Sequence, residues 1–256
     1  MTIIAKTINE TKTMTKRNLW KSLNNPDRLI ENIITPIMNM LLFVFVLGGS
    51  LSSTTGTNYV NYIVPGVLLL CIGQCCTSTA ISISTDIHKG IIDRFRSMPI
   101  STSSIMNGLV LESVLRTIIS TCVMLLVALI IGFRPEATFS GWLLTMVLLL
   151  LYSLMITWFS ILYGLVIKGP EGAGSFTMVI VVLTYLTSGF ISPATLPTVL
   201  KVFAENQPIN SIVEALRVLL SGNHLDNNFL IAVSWCLFLM IILMFLSFKL
   251  FNVKVR

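Results

Sequence analysis

Charge is what this sequence has least of. Its 256 residues include 17 Lys or Arg and 11 Asp or Glu, or 11% charged, where a soluble domain carries roughly a quarter. With 54% hydrophobic residues and a mean hydropathy of +0.87, the chain has too few polar groups to cover itself, so its outer surface faces lipid. Histidine is almost missing: His88 and His224 both fall between the apolar runs. No His-x-x-x-His, Glu-Glu pair or Ser/His dyad sits within a run, which argues against an intramembrane enzyme. The phosphate-binding pattern G-x-x-x-x-G-K-[ST] is absent, and Gly-Lys does not occur at all, so this chain has no P-loop of its own. The apolar runs do not alternate with polar residues, so helices rather than a barrel are expected. There is no repeat, low-complexity tract or linker, and one domain over 1–256 is expected. The first apolar run begins only after about thirty mostly polar residues, too late for a cleavable leader.

What is there is long apolar runs. A bilayer core about 30 Å thick takes about 20 apolar residues as helix. Six segments qualify, near Ile33–Gly49, Tyr62–Ser84, Ile105–Ile131, Trp142–Ile167, Ser175–Phe190 and Phe229–Phe251. The chain thus reads as an all-α membrane protein with six transmembrane helices, the first five over 33–190 and the sixth over 229–251. Thirteen Lys and Arg fall on the side of the two termini, and only Arg134, Lys201 and Arg217 on the other. By the positive-inside rule both termini are cytoplasmic, in a multi-pass protein of the cell membrane. The net charge of +6 is then an orientation signal, and a nucleic-acid partner is not expected.

Residues 1–28 read as an interfacial amphipathic helix. Ile4, Ile8, Thr11, Thr15, Leu19 and Leu23 recur at helical spacing, with Lys6, Lys16, Arg17 and Lys21 largely off that stripe and Trp20 suited to the headgroup layer. A solvated tail is the alternative. Asn24-Asn25-Pro26 turns the chain toward span one. The cysteines of "CIGQCC" (Cys71, Cys75, Cys76) could bind metal, but without a nearby His or carboxylate they read as small packing residues; no metal is expected. Span two carries Gln74, Ser78, Ser82 and Thr85 on one face, and span five carries Thr177, Thr184 and Ser188. Such faces either pack on another helix or line a pathway; Gln74, Ser78, Ser82, Thr184 and Ser188 are the pathway candidates. The ionisable residues within a span are Glu112 and Arg116, at i, i+4, and a self-neutralising pair is the simpler reading than a proton relay.

Charge concentrates between spans two and three, in "TDIHKGIIDRFRSMPIS". Ile87, Ile91 and Phe95 share a helix face that Met98 extends, Thr85 or Asp86 can cap it, and Pro99 stops it. A short cytoplasmic helix from Ile87 to Met98 is expected, its apolar face packed and its charged face open to a partner. Alternatively, this is an interfacial loop whose basic residues only fix topology. Residues 191–228 also stand out. Gly189, Pro193 and Pro197 end the apolar run. Two short helical patterns follow, Thr198–Glu205 and Asn210–Leu220, parted by Pro208. Each is too short to span and too apolar for a soluble loop, so an external re-entrant pair is expected, with Val202, Phe203, Ile212 and Leu216 shielded and 223–228 reachable from outside.

Taken in order, "NNPDRLIENIITPIMNMLLFVFVLGG", "VPGVLL", "DIHKGIIDRFRSMPIS" and "SGFISPATLPTVLKVFAENQPINSIVEALR" resemble the ABC-2 type permeases of ATP-driven exporters over nearly the whole chain. The resemblance implies that the second-to-third loop is a coupling helix seated on a separate ATP-binding subunit, through Asp86, Lys89, Gly90, Asp93, Arg94, Arg96 and Pro99. It implies that the N-terminal helix lies beside that subunit. It also implies that the re-entrant pair is an external gate, formed by Pro193, Pro197, Phe203, Pro208 and Leu216. ATP and Mg would belong to the partner, with no cofactor in this chain. The chain itself would be no enzyme but a permease, moving an amphipathic drug, antibiotic, lipid or glycan outward, paired with a second copy or a paralogue. An ion-coupled secondary transporter is the alternative.

Overall fold

The computed structural model of the chain describes residues 3–24, 26–47, 59–96, 101–190, 197–222 and 227–254. They form eleven α-helices and one π-helical stretch, with no strand among the described residues. In chain order these are α1 (Ile3–Leu23), α2 (Pro26–Leu41) running into the π-helical Leu42–Leu47, α3 (Tyr59–His88), α4 (Ile91–Arg96), α5 (Thr102–Ile131), α6 (Phe139–Val166), α7 (Pro170–Gly174), α8 (Phe176–Tyr185), α9 (Thr198–Asn206), α10 (Pro208–Leu220) and α11 (Asn227–Lys254).

Among the described residues, four helices are long and apolar enough to cross a membrane: α3, α5, α6 and α11. They match the expected spans two, three, four and six, each extended by several residues. The chain is a multi-pass membrane protein. Expected span one is helical without a break from Pro26 to Leu47, with Ile34–Phe45 as its apolar stretch among the described residues. Expected span five differs. The fifth was expected as one run over Ser175–Phe190, but α8 has 10 residues, about 15 Å of helix. It stops because the chain after it bonds to itself. Thr187 Oγ1 donates to the Thr184 carbonyl at 2.6 Å, and the Gly189 N–H donates to Thr187 Oγ1 at 3.2 Å. Local Thr and Ser bonds of this kind compete with the helical ladder.

α3 is the axis of the molecule. It packs on α2, α5, α6, α7 and α8, and 83% of its most apolar stretch is buried, against 11% for α11. Ile63, Leu68, Leu69, Leu70 and Ile72 of α3 meet Leu148, Tyr152 and Ile156 of α6, Phe176 and Ile180 of α8, and Ile212 and Leu216 of α10 in one apolar core. Cys71, Cys75 and Cys76 are small members of that core. α11 instead turns Phe238, Ile241 and Phe245 outward, each more than half exposed, as a lipid-facing helix must.

Two corrections concern the short helices. The cytoplasmic helix expected from Ile87 to Met98 begins later. Ile87 belongs to the last turn of α3, and α4 starts only at Ile91. Gly90 sits between them at φ 63, a left-handed conformation that glycine adopts without cost. It ends α3 and turns the chain. Met98 and Pro99 lie outside the described residues. The two short helices are found within about two residues of their expected bounds, with Pro208 opening α10, where its missing N–H costs nothing. The four apolar residues expected to be shielded divide, however. Ile212 and Leu216 are fully buried, whereas Val202 and Phe203 are 55% and 46% exposed. α10 lies inward against α3, α6 and α11, while α9 packs chiefly on α10.

Candidate functional site

The end of the molecule that carries the charged segment is organised by α1. Its protein-facing seam is Thr7, Glu10, Met14, Asn18 and Lys21, at helical spacing, with Met14 and Asn18 buried. This seam lies beside the Ile8–Leu19 stripe, and Ile8 and Trp20 remain exposed. Gly108 of α5 makes the close seat possible: a Cβ there would come within 2.6 Å of Met14 Cβ.

α1 holds both ends of the charged segment. At one end, Lys21 Nζ lies 2.7 Å from Asp86 Oδ1 and Arg17 Nη1 lies 3.6 Å from Oδ2. At the other, Glu10 Oε2 accepts from the Ser101 N–H at 3.1 Å, from Ser101 Oγ at 3.2 Å and from Ser104 Oγ at 3.1 Å. The Ser101 N–H is the main cause holding the Glu10 carboxyl below its usual range, aided by both hydroxyls and by Lys6. Ser101 is also the N-cap of α5, accepting from the Ser104 N–H. One helix thus clamps the chain immediately before α4 and immediately after it.

Of the residues assigned to a partner contact, Asp86 is buried and bonded to α1. Lys89 is exposed at the turn, and Gly90 makes that turn. Arg94 is exposed on α4, while Ile92 of the same helix is buried in a cluster with Ile83, Met106 and Leu109. Asp93 and Arg96 are on α4, but their side chains lie outside the described residues, as does Pro99.

Within the bilayer, Arg116 Nη1 donates to Glu112 Oε1 at 2.7 Å, and Nη2 donates to Thr79 Oγ1 at 2.8 Å and the Cys75 carbonyl at 3.2 Å. The pair therefore neutralises itself and ties α5 to α3. Thr79 and Thr157 meet Ser113 at 3.0 and 3.2 Å, and Ser160 Oγ donates to the Cys76 carbonyl. The pathway candidates Gln74, Ser78, Thr184 and Ser188 are buried within this single chain. Ser82 is half-buried and lies 3.4 Å from Lys21 Nζ.

At the opposite end, Ser188 is the centre of a polar hub. Its N–H donates to Asn210 Oδ1 at 2.8 Å, its hydroxyl donates to Glu214, and its carbonyl accepts from Tyr62 OH at 2.7 Å and Arg217 Nη2 at 2.8 Å. Arg217 also pairs with Glu214 at 3.0 Å and stacks 4.1 Å over the Tyr62 ring. The hub fixes the chain after α8 to α10 and α3. Asn210, Glu214 and Arg217 recur at i, i+4, i+7 on α10, a polar seam that the sequence displays but that its apolar residues overshadow. Of the gate residues, Leu216 is buried behind this hub, Pro208 opens α10, and Phe203 is half-exposed on α9. Pro197 is exposed where α9 begins, and Pro193 lies outside the described residues.

Comparison with known proteins follows the same outline. A family model described as "ABC-2 type transporter" matches residues 9–221, from the α1 clamp through the hub. The chain is 27% identical over 213 residues to the daunorubicin resistance ABC transporter permease protein DrrB1 of Streptomyces coeruleorubidus, covering 81% of this chain and 75% of that one. It is 23% identical over 214 residues to the probable doxorubicin resistance ABC transporter permease protein DrrC of Mycobacterium tuberculosis, with the same coverage. An apolar helical bundle whose most charged loop is clamped at both ends, matched over this whole length, belongs to the ABC-2 type transporter family, as a membrane permease of an ABC exporter.

Proposed function

We propose that this permease moves an amphipathic substrate outward across the cell membrane, using ATP hydrolysed with Mg by a separate ATP-binding subunit docked on α4. Both termini are cytoplasmic in this reading. The chain crosses six times, the unbroken helical run from Pro26 to Leu47 making the first crossing and the α7–α8 region with its following turn the fifth. α9 and α10 close the outer end as a gate. Two copies, or this chain and a paralogue, face each other across the pathway. The relatives named for daunorubicin and doxorubicin resistance favour a drug-like substrate.

The observation that carries the reading is the double clamp. A loop that only marked topology would need no anchoring at both ends. A loop that transmits force does, because slack at either end would absorb the displacement. The paired state of Glu112 speaks against an ion-coupled transporter, since a relay needs a group free to change its proton.

Docking on α4 is tested by changing its charge. Single exposed pairs are worth about 1 kcal/mol or less, so Arg94→Ala or Arg96→Ala alone should matter little. The double change Arg94→Glu with Arg96→Glu should leave membrane insertion normal and abolish co-purification of the ATP-binding subunit. Undiminished co-purification and export would rule α4 out as the docking site.

A further inference from the structure

We propose that the groove between α1 and α5 holds one anionic phospholipid, with its phosphate on Lys12 and Lys16 and an acyl chain along α5. The groove measures about 790 Å³ and runs from Ile8 to Leu19 on α1 and from Asn107 to Leu111 on α5. Leu111, Leu115 and Ile118 recur at i, i+4, i+7 on α5, and each is at least 40% exposed. On a helix long and apolar enough to cross a membrane, such a row faces lipid. The groove therefore opens, at Leu111, onto hydrocarbon.

The lysines name the occupant. α1 carries five cations and a single carboxylate. That carboxylate, Glu10, is engaged by Ser101, Ser104 and Lys6, while Arg17 and Lys21 share Asp86. Lys12 and Lys16 are exposed on the groove wall and have no acidic partner among the described residues. They stand one turn apart, where like charges repel, and none of the described residues lining the groove is acidic. An anion set against both relieves that repulsion. A hydrocarbon chain joined to it covers Ile8, Leu19 and Leu111. A neutral lipid meets only the apolar floor, and a soluble anion meets only the lysines; an anionic phospholipid meets both. Continuity with the lipid-facing row of α5 favours a lipid over an acidic protein segment. The inference rests on the chain's place in a membrane and not on what it transports.

The test titrates the full detergent-purified chain with dioleoyl phosphatidylglycerol or dioleoyl phosphatidylcholine, which share their chains and differ in headgroup charge. Bound lipids are counted by native mass spectrometry. Each lysine beside an anionic headgroup is worth about fivefold in affinity, so the first phosphatidylglycerol should bind at least about tenfold more tightly than phosphatidylcholine. Lys12→Gln with Lys16→Gln should bring the two lipids to within about threefold. Lys249→Gln with Lys254→Gln removes the same charge from exposed positions on α11 and should leave the preference intact. Asn107→Trp fills the groove from an exposed lining position without changing charge, and it should remove the tight phosphatidylglycerol site. Acyl-free glycerophosphoglycerol should not displace the lipid even in excess. Equal affinity for the two lipids in the unaltered chain would overturn the proposal. So would a preference lost equally with either lysine pair, which would mean a diffuse charge effect. Displacement by the free headgroup would make the site one for soluble anions and would overturn it too. Undiminished lipid binding by Asn107→Trp, with or without loss of the ATP-binding subunit, would take the groove from the lipid and likewise overturn it.

Discussion

Buried charges are the residues whose roles are sharpest. Glu112 and Arg116 sit at 3% and 7% exposure in the α3–α5 contact, so neither can lose its partner without stranding a charge in hydrocarbon. Glu112→Leu is expected to lower the thermal stability of the detergent-purified protein strongly, by about 3–5 kcal/mol. The double change to Leu at both positions should recover much of that loss, because no ion then remains unpaired. A double variant no more stable than the single one would show that the pair does more than neutralise itself. Glu10 gives a pH signature. Its carboxyl titrates below the ordinary value near 4.5 because the folded state stabilises the charged form. Its contribution is therefore complete above that value and lost as pH falls through the lowered pKa. A spin-label distance between α1 and α5 should stay constant from neutral pH down to the ordinary carboxylate range and lengthen only at pH below it. Glu10→Gln should remove the dependence.

At the scale of elements, the seat of α1 on α5 decides how the charged segment is held. Because a Cβ at residue 108 meets Met14 Cβ at 2.6 Å and the Thr15 nitrogen at 3.2 Å, Gly108→Val should lift α1 and break the clamp at Ser101. Trypsin cleavage at Lys12 and Lys16 should accelerate several-fold while α5 stays inserted; an unchanged rate would mean that α1 is held elsewhere. This seat was hard to read from sequence. The conspicuous stripe of α1, Ile8 to Leu19, marks the face suited to a membrane, whereas the seam that grips α5 is made of Glu10, Met14 and Asn18, residues no hydropathy pattern selects. The start of α4 was misplaced for a related reason: Ile87, Ile91 and Phe95 keep helical spacing through Gly90, and periodicity alone does not register a left-handed turn. By contrast α9 and α10 were legible almost to the residue, because Pro208 punctuates them chemically. The helix in expected span five is shorter than the apolar run because hydropathy counts Thr187 and Gly189 by polarity and ignores the local hydrogen bonds that end α8.

For the whole molecule, an enclosed α3, a lipid-facing α11 and two polar fastenings at opposite ends describe a transmitting body. The clamp links α4 to α3 and α5; the Arg116 network links α3 to α5 midway; the Ser188 hub links α3 to α10 at the far end. Composition announced the membrane, but the hub depends on residues more than a hundred positions apart, Tyr62 and Ser188, which only the fold brings together. The most direct test of the central claim, that α1 makes the charged segment a rigid coupling element, is substrate-stimulated ATP hydrolysis in vesicles containing the permease and its ATP-binding subunit. Asp86→Lys faces Lys21 and Arg17 with a third positive charge, and it should leave assembly intact while abolishing most of the stimulation. Adding Lys21→Asp should restore a large part of it. Full stimulation with Asp86→Lys alone, or no recovery on the charge exchange despite normal assembly, would contradict the account.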